Sequence, residues 1–114
     1  MKQRILVMNG QRLVQNEYDN EWVTTKVGKA GQIQPGIYNI SAAVTASKDK
    51  SYDGVVLHTD QEHIYQQVGK TCVRHSAHDF AKCPAVGANV AIRYDADQAF
   101  GSQAEIKQGK GVRR

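Results

Sequence analysis

Short apolar runs separated by Gly, Asn and Asp dominate the pattern of this chain. The apolar positions alternate with polar ones or form brief clusters, and helical periodicity is nearly absent. This pattern predicts a mainly β fold, a small curved antiparallel sheet or barrel of short strands. The predicted strands are residues 4–8, 11–16, 22–27, 37–45, 54–58, 63–68, 71–75, 86–94 and 98–106.

Turn-forming residues divide these strands at specific places. Asn9-Gly10 predicts a two-residue hairpin turn, because both residues tolerate positive φ. Gly54 opens the most apolar run, which we expect to be a central strand, and its missing side chain would allow another segment to approach closely. One short helix is predicted near residues 76–82, where Ser76 and Asp79 form a cap-like pair and Pro84 prevents continuation.

The length of 114 residues fits one domain. We expect residues 1–106 to form that domain and residues 107–114 to form a basic, flexible tail. The chain has no apolar run long enough to span a membrane, and its first residues are too short an apolar stretch for a signal peptide. These features predict a cytoplasmic protein without membrane attachment.

The positive charge is concentrated at the C-terminal end. The chain has 15 basic and 11 acidic residues, and four basic residues lie in the last eight positions without an acidic one. The rest of the chain therefore carries equal numbers of each sign. This balance predicts that the body has no general affinity for phosphates, whereas the tail allows weak contact with nucleic acid.

Several sequence words occur together in a characteristic order. They are Val27-Gly28-Lys29-Ala30-Gly31, Pro35-Gly36-Ile37-Tyr38-Asn39-Ile40, Tyr52-Asp53-Gly54-Val55-Val56-Leu57-His58-Thr59-Asp60 and Ile64-Tyr65-Gln66-Gln67-Val68-Gly69-Lys70. With these words the chain resembles the KfrB domain family of broad-host-range plasmids and related mobile elements. The resemblance implies a bacterial protein with a non-enzymatic accessory role in plasmid maintenance or conjugative transfer, and the neutral body of the chain favours action through protein-protein interaction. It implies no catalytic residue and no cofactor.

One predicted interaction site lies in the strand at residues 63–68. Gln66-Gln67 beside Tyr65 is an unusual polar pair in a strand, and it favours an edge strand that pairs with a partner protein or a second copy. Plain solvent exposure of the pair is the alternative explanation. With Tyr38, these residues form the predicted partner-binding set.

The alternative hypothesis is a small nucleic-acid-binding barrel. Basic side chains would contact phosphates, and the aromatic rings of Tyr38, Tyr65 and Tyr94 would stack on unpaired bases. The same rings are also large enough to be needed in the core of so small a domain. The basic residues predicted for this role are Lys107, Lys110, Arg113, Arg114 and Arg93.

Cys72, His75, His78 and Cys83 have side chains that can bind zinc. However, they form one local cluster, and Cys72 and His75 would point to opposite faces of a strand. We therefore predict no metal site, and a disulfide between the two cysteines is not expected in a reducing compartment. Nucleophilic catalysis by Cys72 would need a contacting His and an orienting group, and the chain offers only the residue types. No enzyme activity is predicted.

Overall fold

The computed structural model describes residues 2–95 and 98–103, with side chains through Ala99. In these residues, β-strands form two sheets and the remaining regular structure is two 3-10 turns, Ile40–Ala42 and Ala77–Asp79. The predicted mainly β fold class is therefore confirmed. The strands are β1 Gln3–Met8, β2 Gln11–Tyr18, β3 Glu21–Lys29, β4 Gly36–Tyr38, β5 Val44–Thr45, β6 Tyr52–Thr59, β7 His63–Val68, β8 Thr71–Ser76, β9 Asn89–Asp95 and β10 Gln98–Gln103.

The first sheet, sheet A, is antiparallel with the strand order β3-β2-β1-β4. Its first hairpin turns at Asn9 and Gly10, whose φ values of 53° and 75° are both positive, as a type I′ turn requires. The predicted hairpin is thus confirmed. This turn sets a register in which Leu6 lies opposite Leu13 and Val7 lies opposite Arg12.

The second sheet, sheet B, has the strand order β10-β9-β6-β7-β8-β5, with β5 parallel to β8. Phe80, which follows β8, bridges to Ala99 on β10, so the two sides of the sheet approach each other and form a half-barrel. Its interior holds one buried cluster that includes Val56, Ile64 and Ile92.

A β-bulge in β6 lets this strand contribute side chains to the cores of both sheets. Val56 pairs with Gln66 and His58 pairs with Tyr65, which leaves Leu57 without a partner in the ladder. Val56 and Leu57 are both fully buried, but they belong to different clusters. Val56 packs inside the half-barrel, and Leu57 packs against the inward side chains of sheet A.

Gly54 lies in β6, which is a central strand between β7 and β9, as predicted. A Cβ atom placed on Gly54 would be 1.8 Å from the carbonyl oxygen of Gln67. The predicted close approach of another segment is therefore confirmed, and the neighbouring backbone leaves no room for a side chain.

Two sequence-based elements differ from the structure. The predicted strand at residues 37–45 is interrupted, because the Asn39 side chain accepts a hydrogen bond from the Ser41 amide at 3.2 Å and starts a 3-10 turn. The predicted helix near 76–82 is only the turn Ala77–Asp79. Ser76 makes no side-chain cap bond, since it completes β8 opposite His63. The predicted tail at 107–114 lies outside the described residues.

Candidate functional site

The strand β7 contains three of the four predicted partner-binding residues, and it lies between β6 and β8. The prediction that it is an edge strand is therefore wrong. Gln66 is fully buried, and its Nε2 donates to the carbonyl oxygens of Tyr52, Gly54 and Val90 at 3.2, 3.1 and 3.0 Å. Its side chain satisfies backbone groups inside the half-barrel and offers no surface to a partner.

His75 completes this buried polar cluster. Its Nε2 lies 2.9 Å from the Gln66 Oε1, and its Nδ1 lies 2.6 Å from the Tyr94 hydroxyl. Because the Gln66 amide nitrogen is used as a donor, its oxygen accepts from His75 Nε2–H, and Nδ1 accepts from the tyrosine. Burial lowers the pKa of His75 to about 4, although Asp79 acts in the opposite direction. The imidazole is therefore neutral at pH 7 and acts as a structural link.

Tyr38 and Gln67 are brought together by the structure. They line a shallow groove between β4 and the β7–β8 hairpin, together with Ile37, Lys70 and Cys72. Both side chains are already used locally, because the Tyr38 hydroxyl donates to the Gln34 carbonyl at 2.5 Å and Gln67 Nε2 donates to Gly69. The partner-binding role of Tyr38 and Gln67 stays a prediction.

Tyr65 is half-buried and packs toward sheet A. Its ring centroid lies 6.0 Å from that of His58 and 5.9 Å from that of His63. Burial raises the pKa of its hydroxyl. Tyr65 is therefore placed near two histidines rather than in the groove of Tyr38 and Gln67, and its partner-binding role stays a prediction.

The four Cys and His residues of the zinc-like segment point in different directions. Cys72 is half-buried and packs against the core of sheet A, whereas His75 faces the interior of the half-barrel from the same strand. His78 and Cys83 are exposed. Among the described residues, no group of three or more His, Cys, Asp or Glu side chains is placed to hold a metal ion. Both cysteines are free, and burial raises the pKa of the Cys72 thiol to about 11.

A row of apolar side chains crosses the outer face of sheet A. The registers place Ile37 opposite Leu6, Leu6 opposite Leu13, and Leu13 opposite Val27. These residues alternate with the inward-facing Ile5, Val7 and Val14, so they share the face away from the core. Ile37 is 62% exposed and Val27 is 57% exposed. We call Ile37, Leu6, Leu13 and Val27 the apolar row.

Polar and basic residues lie on both sides of the apolar row, and the exposed Met8 lies in one of the adjacent ranks, opposite Gln11. Lys29 lies opposite Gln11 in the next rank of residues. On the other side, the Arg4 guanidinium lies 4.1 Å from the centroid of Trp22, and its Nε donates to Gln15 Oε1 at 2.8 Å. The ranks directly beside the row thus contain two cations and no carboxylate, and the face is weakly positive.

Of the basic residues predicted to contact nucleic acid, one lies within the described residues. Arg93 is exposed on β9, but Lys107, Lys110, Arg113 and Arg114 lie outside the described residues. Tyr94 hydrogen-bonds His75 and is turned inward, and burial raises its pKa to about 12. Of the three tyrosines considered for base stacking, none is exposed.

Two comparisons with known proteins identify relatives of this chain. The profile of the KfrB Domain family matches residues 51–106, which begin just before β6 and include the half-barrel strands up to β10. Over 121 aligned positions, the chain is 39% identical to Protein TraB of Escherichia coli, covering 96% of this chain and 83% of that protein. The chain belongs to the KfrB domain family.

Family membership associates the chain with plasmids, in a role connected with maintenance or conjugation. Within the described residues there is no helix of the length and apolar character needed to cross a membrane.

Two functional candidates were not recognised from the sequence. The apolar row depends on the alignment of four strands, and only the pair of Leu6 and Leu13 follows directly from the Asn9-Gly10 turn. Arg12 was not predicted as a functional residue, although the same turn places it opposite Val7, a core position. A charged residue at an inward strand position is a signal that was available in the sequence.

Proposed function

We propose that this chain is a non-enzymatic module that binds a protein partner in a plasmid maintenance or transfer assembly. The observation that carries the proposal is the apolar row. Single apolar residues on a surface are common, but four aligned across a sheet face form a contiguous patch suited to protein contact. The absence of a charge excess in the body of the chain is consistent with a protein rather than a phosphate backbone as partner.

The borders of the row define the chemistry of the partner. An apolar segment would cover Ile37 and Val27, and acidic residues at its margins would meet Arg4 and Lys29. Such border charges contribute mainly to the association rate and to specificity, while the buried apolar contacts provide most of the affinity.

The placement of the possible nucleophile supports a non-enzymatic role. The Cys72 thiol, with its pKa raised to about 11 by burial, is protonated at neutral pH. The neutral His75 faces the opposite side of the strand, where Gln66 and Tyr94 use both of its ring nitrogens. Nothing in this arrangement activates a nucleophile.

Two matched substitutions test the proposal. Val27 and Val44 are both valines on strands, with exposures of 57% and 53%, but Val44 lies on sheet B. Tagged wild type, Val27→Asp and Val44→Asp would be used to capture proteins from cells carrying the parent mobile element, after nuclease treatment. We expect Val27→Asp to lose the partner and Val44→Asp to retain it. Equal retention by both variants would contradict the proposal.

The nuclease step separates the alternative function. If the basic C-terminal residues and Arg93 bind nucleic acid, co-purified proteins disappear when the nucleic acid is digested. A partner that survives digestion and depends on Val27 supports direct protein contact.

A further inference from the structure

Arg12 is a buried cation at the junction of the two sheets. Its side chain is 7% exposed. Its Nε donates to the carbonyl oxygen of Leu57 at 2.7 Å, and its Nη2 lies 2.7 Å from His58 Nδ1. One edge of the guanidinium is thus used to connect sheet A to the bulge in β6.

The other edge of this guanidinium has no partner among the described residues. Nη1 makes no hydrogen bond to a described residue. The salt bridge found among the described residues joins Lys48 to Asp79 and does not involve Arg12. Burial lowers the pKa of Arg12, and no acidic group of the described residues counteracts this effect. Buried charges are normally paired, so an unpaired buried guanidinium indicates a place for an anion.

His58 provides a second unused donor at the same place. Because Arg12 can only donate, His58 Nδ1 accepts its hydrogen bond and the proton of the neutral imidazole lies on Nε2. That N–H has no hydrogen-bond partner among the described residues. The bond between Arg12 and His58 is only partly buried, whereas the bond to Leu57 is buried, so the His58 end is the side that solvent reaches.

Lys26 adds a second cation beside this opening. It lies opposite Val14 on β3, on the inward side of sheet A, and its charge acts on His58 together with that of Arg12. Gly28 lies on β3 opposite Arg12, and no atom of the described residues lies within 4 Å of the position a Cβ would take there. The inward side of β3 is therefore open at Gly28.

We propose that Arg12, His58 and Lys26 bind an Asp or Glu carboxylate of the protein partner. The free edge of Arg12 presents two parallel N–H groups, which match a planar carboxylate, and His58 Nε2–H provides a third donor. Asp60 also acts on His58, and its negative charge disfavours a doubly charged phosphate more than a carboxylate. Arg12 and Lys26 are only two cations and do not form the extended track that a nucleic acid backbone requires.

This inference rests on the proposed function, because it assigns the carboxylate to the same partner. β3 carries Val27 on its outer side and Lys26 on its inner side. A partner that covers this edge of sheet A therefore reaches both the apolar row and the Arg12 site.

The first test uses acetate as the probe and reads the NMR signals of Arg12 Nε–H and His58 Nε2–H in the full chain. Inorganic phosphate and chloride at equal ionic strength are the comparison anions. We expect saturable shifts with acetate and weaker binding of phosphate. Lys26→Gln should reduce acetate affinity by roughly threefold, in the range of a partly exposed charge pair. Lys82→Gln, with the same change of charge at an exposed position outside sheet A, should leave the affinity unchanged.

Several results would overturn the assignment: no saturable shift, tighter binding of phosphate, or equal effects of the two lysine substitutions. A second test repeats the partner capture in saturating acetate, which should lower retention of the partner. If acetate binds but retention does not fall, the ligand is a free small carboxylate and not the partner's. If acetate does not bind and capture still depends on Val27, this inference fails while the proposed function stands.

Discussion

At His75, the surrounding side chains determine both the tautomer and the charge. The ring nitrogens are used by Gln66 and Tyr94, and the residue is fully removed from solvent. Protonation would break the bond in which Nδ1 accepts and would place a charge in the buried interior of the half-barrel. His75 therefore couples the stability of the half-barrel to pH.

Lowering the pH below the ordinary histidine range should destabilise the protein. The unfolded chain protonates His75 near pH 6.5, whereas the folded chain does so only near its pKa of about 4. The contribution of His75 to the free energy of unfolding is fully present above pH 6.5. It is lost as the pH falls toward 4, by up to about 3 kcal/mol. Urea unfolding across this range measures it. The exposed His78→Gln variant should keep the dependence and His75→Asn should flatten it. A flat wild-type curve would contradict the structural role of His75.

Gly54 and Gly28 provide a matched pair of glycines in strands. A methyl group on Gly54 would collide with the Gln67 backbone, while nothing lies within 4 Å at Gly28. Overpacking typically lowers the free energy of unfolding by about 1–3 kcal/mol. Gly54→Ala should lower it by an amount at the upper end of this range or beyond, because the backbone must move. Gly28→Ala should be close to neutral. Thermal unfolding compares them, and similar melting temperatures for both variants would show that the strands at Gly54 separate easily.

At the scale of elements, the β1–β2 hairpin and the bulged strand β6 depend on each other. Leu57 has no partner in its ladder, and its carbonyl oxygen is satisfied by Arg12 from the hairpin. The bulge lets Val56 and Leu57 face different clusters, so one strand contributes to both cores. The side chain of Arg12 thus stabilises the junction of the two sheets.

Arg12→Met should test this junction, because it keeps much of the apolar stem and removes the donor. The Leu57 carbonyl would then be buried without a hydrogen bond, at a cost of about 1–3 kcal/mol. Arg4→Met is the control, since Arg4 contacts Trp22 and Gln15 on the outer face. Chemical unfolding should show the larger loss for Arg12→Met. A larger loss for Arg4→Met would indicate that the outer face, rather than the junction, limits stability.

The elements differ in how far the sequence predicts them. Asn9-Gly10 is a local signal, and its turn fixes the register of β1 and β2 without help from the rest of the chain. The run Tyr65-Gln66-Gln67 is not decisive, because a polar residue in a strand is compatible both with an exposed edge and with a buried network. Gln66 is buried only because carbonyl groups of Tyr52, Gly54 and Val90 converge on it from two other strands. The apolar row is likewise a property of four aligned strands, including the bulge between Val14 and Gln15.

For the whole molecule, the distribution of charge separates the two candidate functions. Outside residues 107–114, basic and acidic residues are equal in number. Electrostatic attraction to nucleic acid should therefore depend on the four basic residues of that segment, and the folded body should contribute little.

Binding of duplex DNA should accordingly be weak and strongly dependent on the C-terminal residues. Four cations allow a slope of log affinity against log salt no steeper than about −3.6, from about −0.9 for each phosphate contact. Titrations of the full chain and of a chain ending at Ile106 measure this slope. Tight, sequence-specific binding by the shortened chain would show that the body itself reads DNA.

The central claim is that the outer face of sheet A is the surface that binds a protein partner. Methyl NMR with cross-saturation from the captured partner tests it directly, because the apolar row consists of residues with methyl groups. We expect signal loss at Leu6, Leu13, Val27 and Ile37, and no loss at Val44, which is equally exposed on the other sheet. Signal loss at Val44 with unchanged signals from the apolar row would contradict the account.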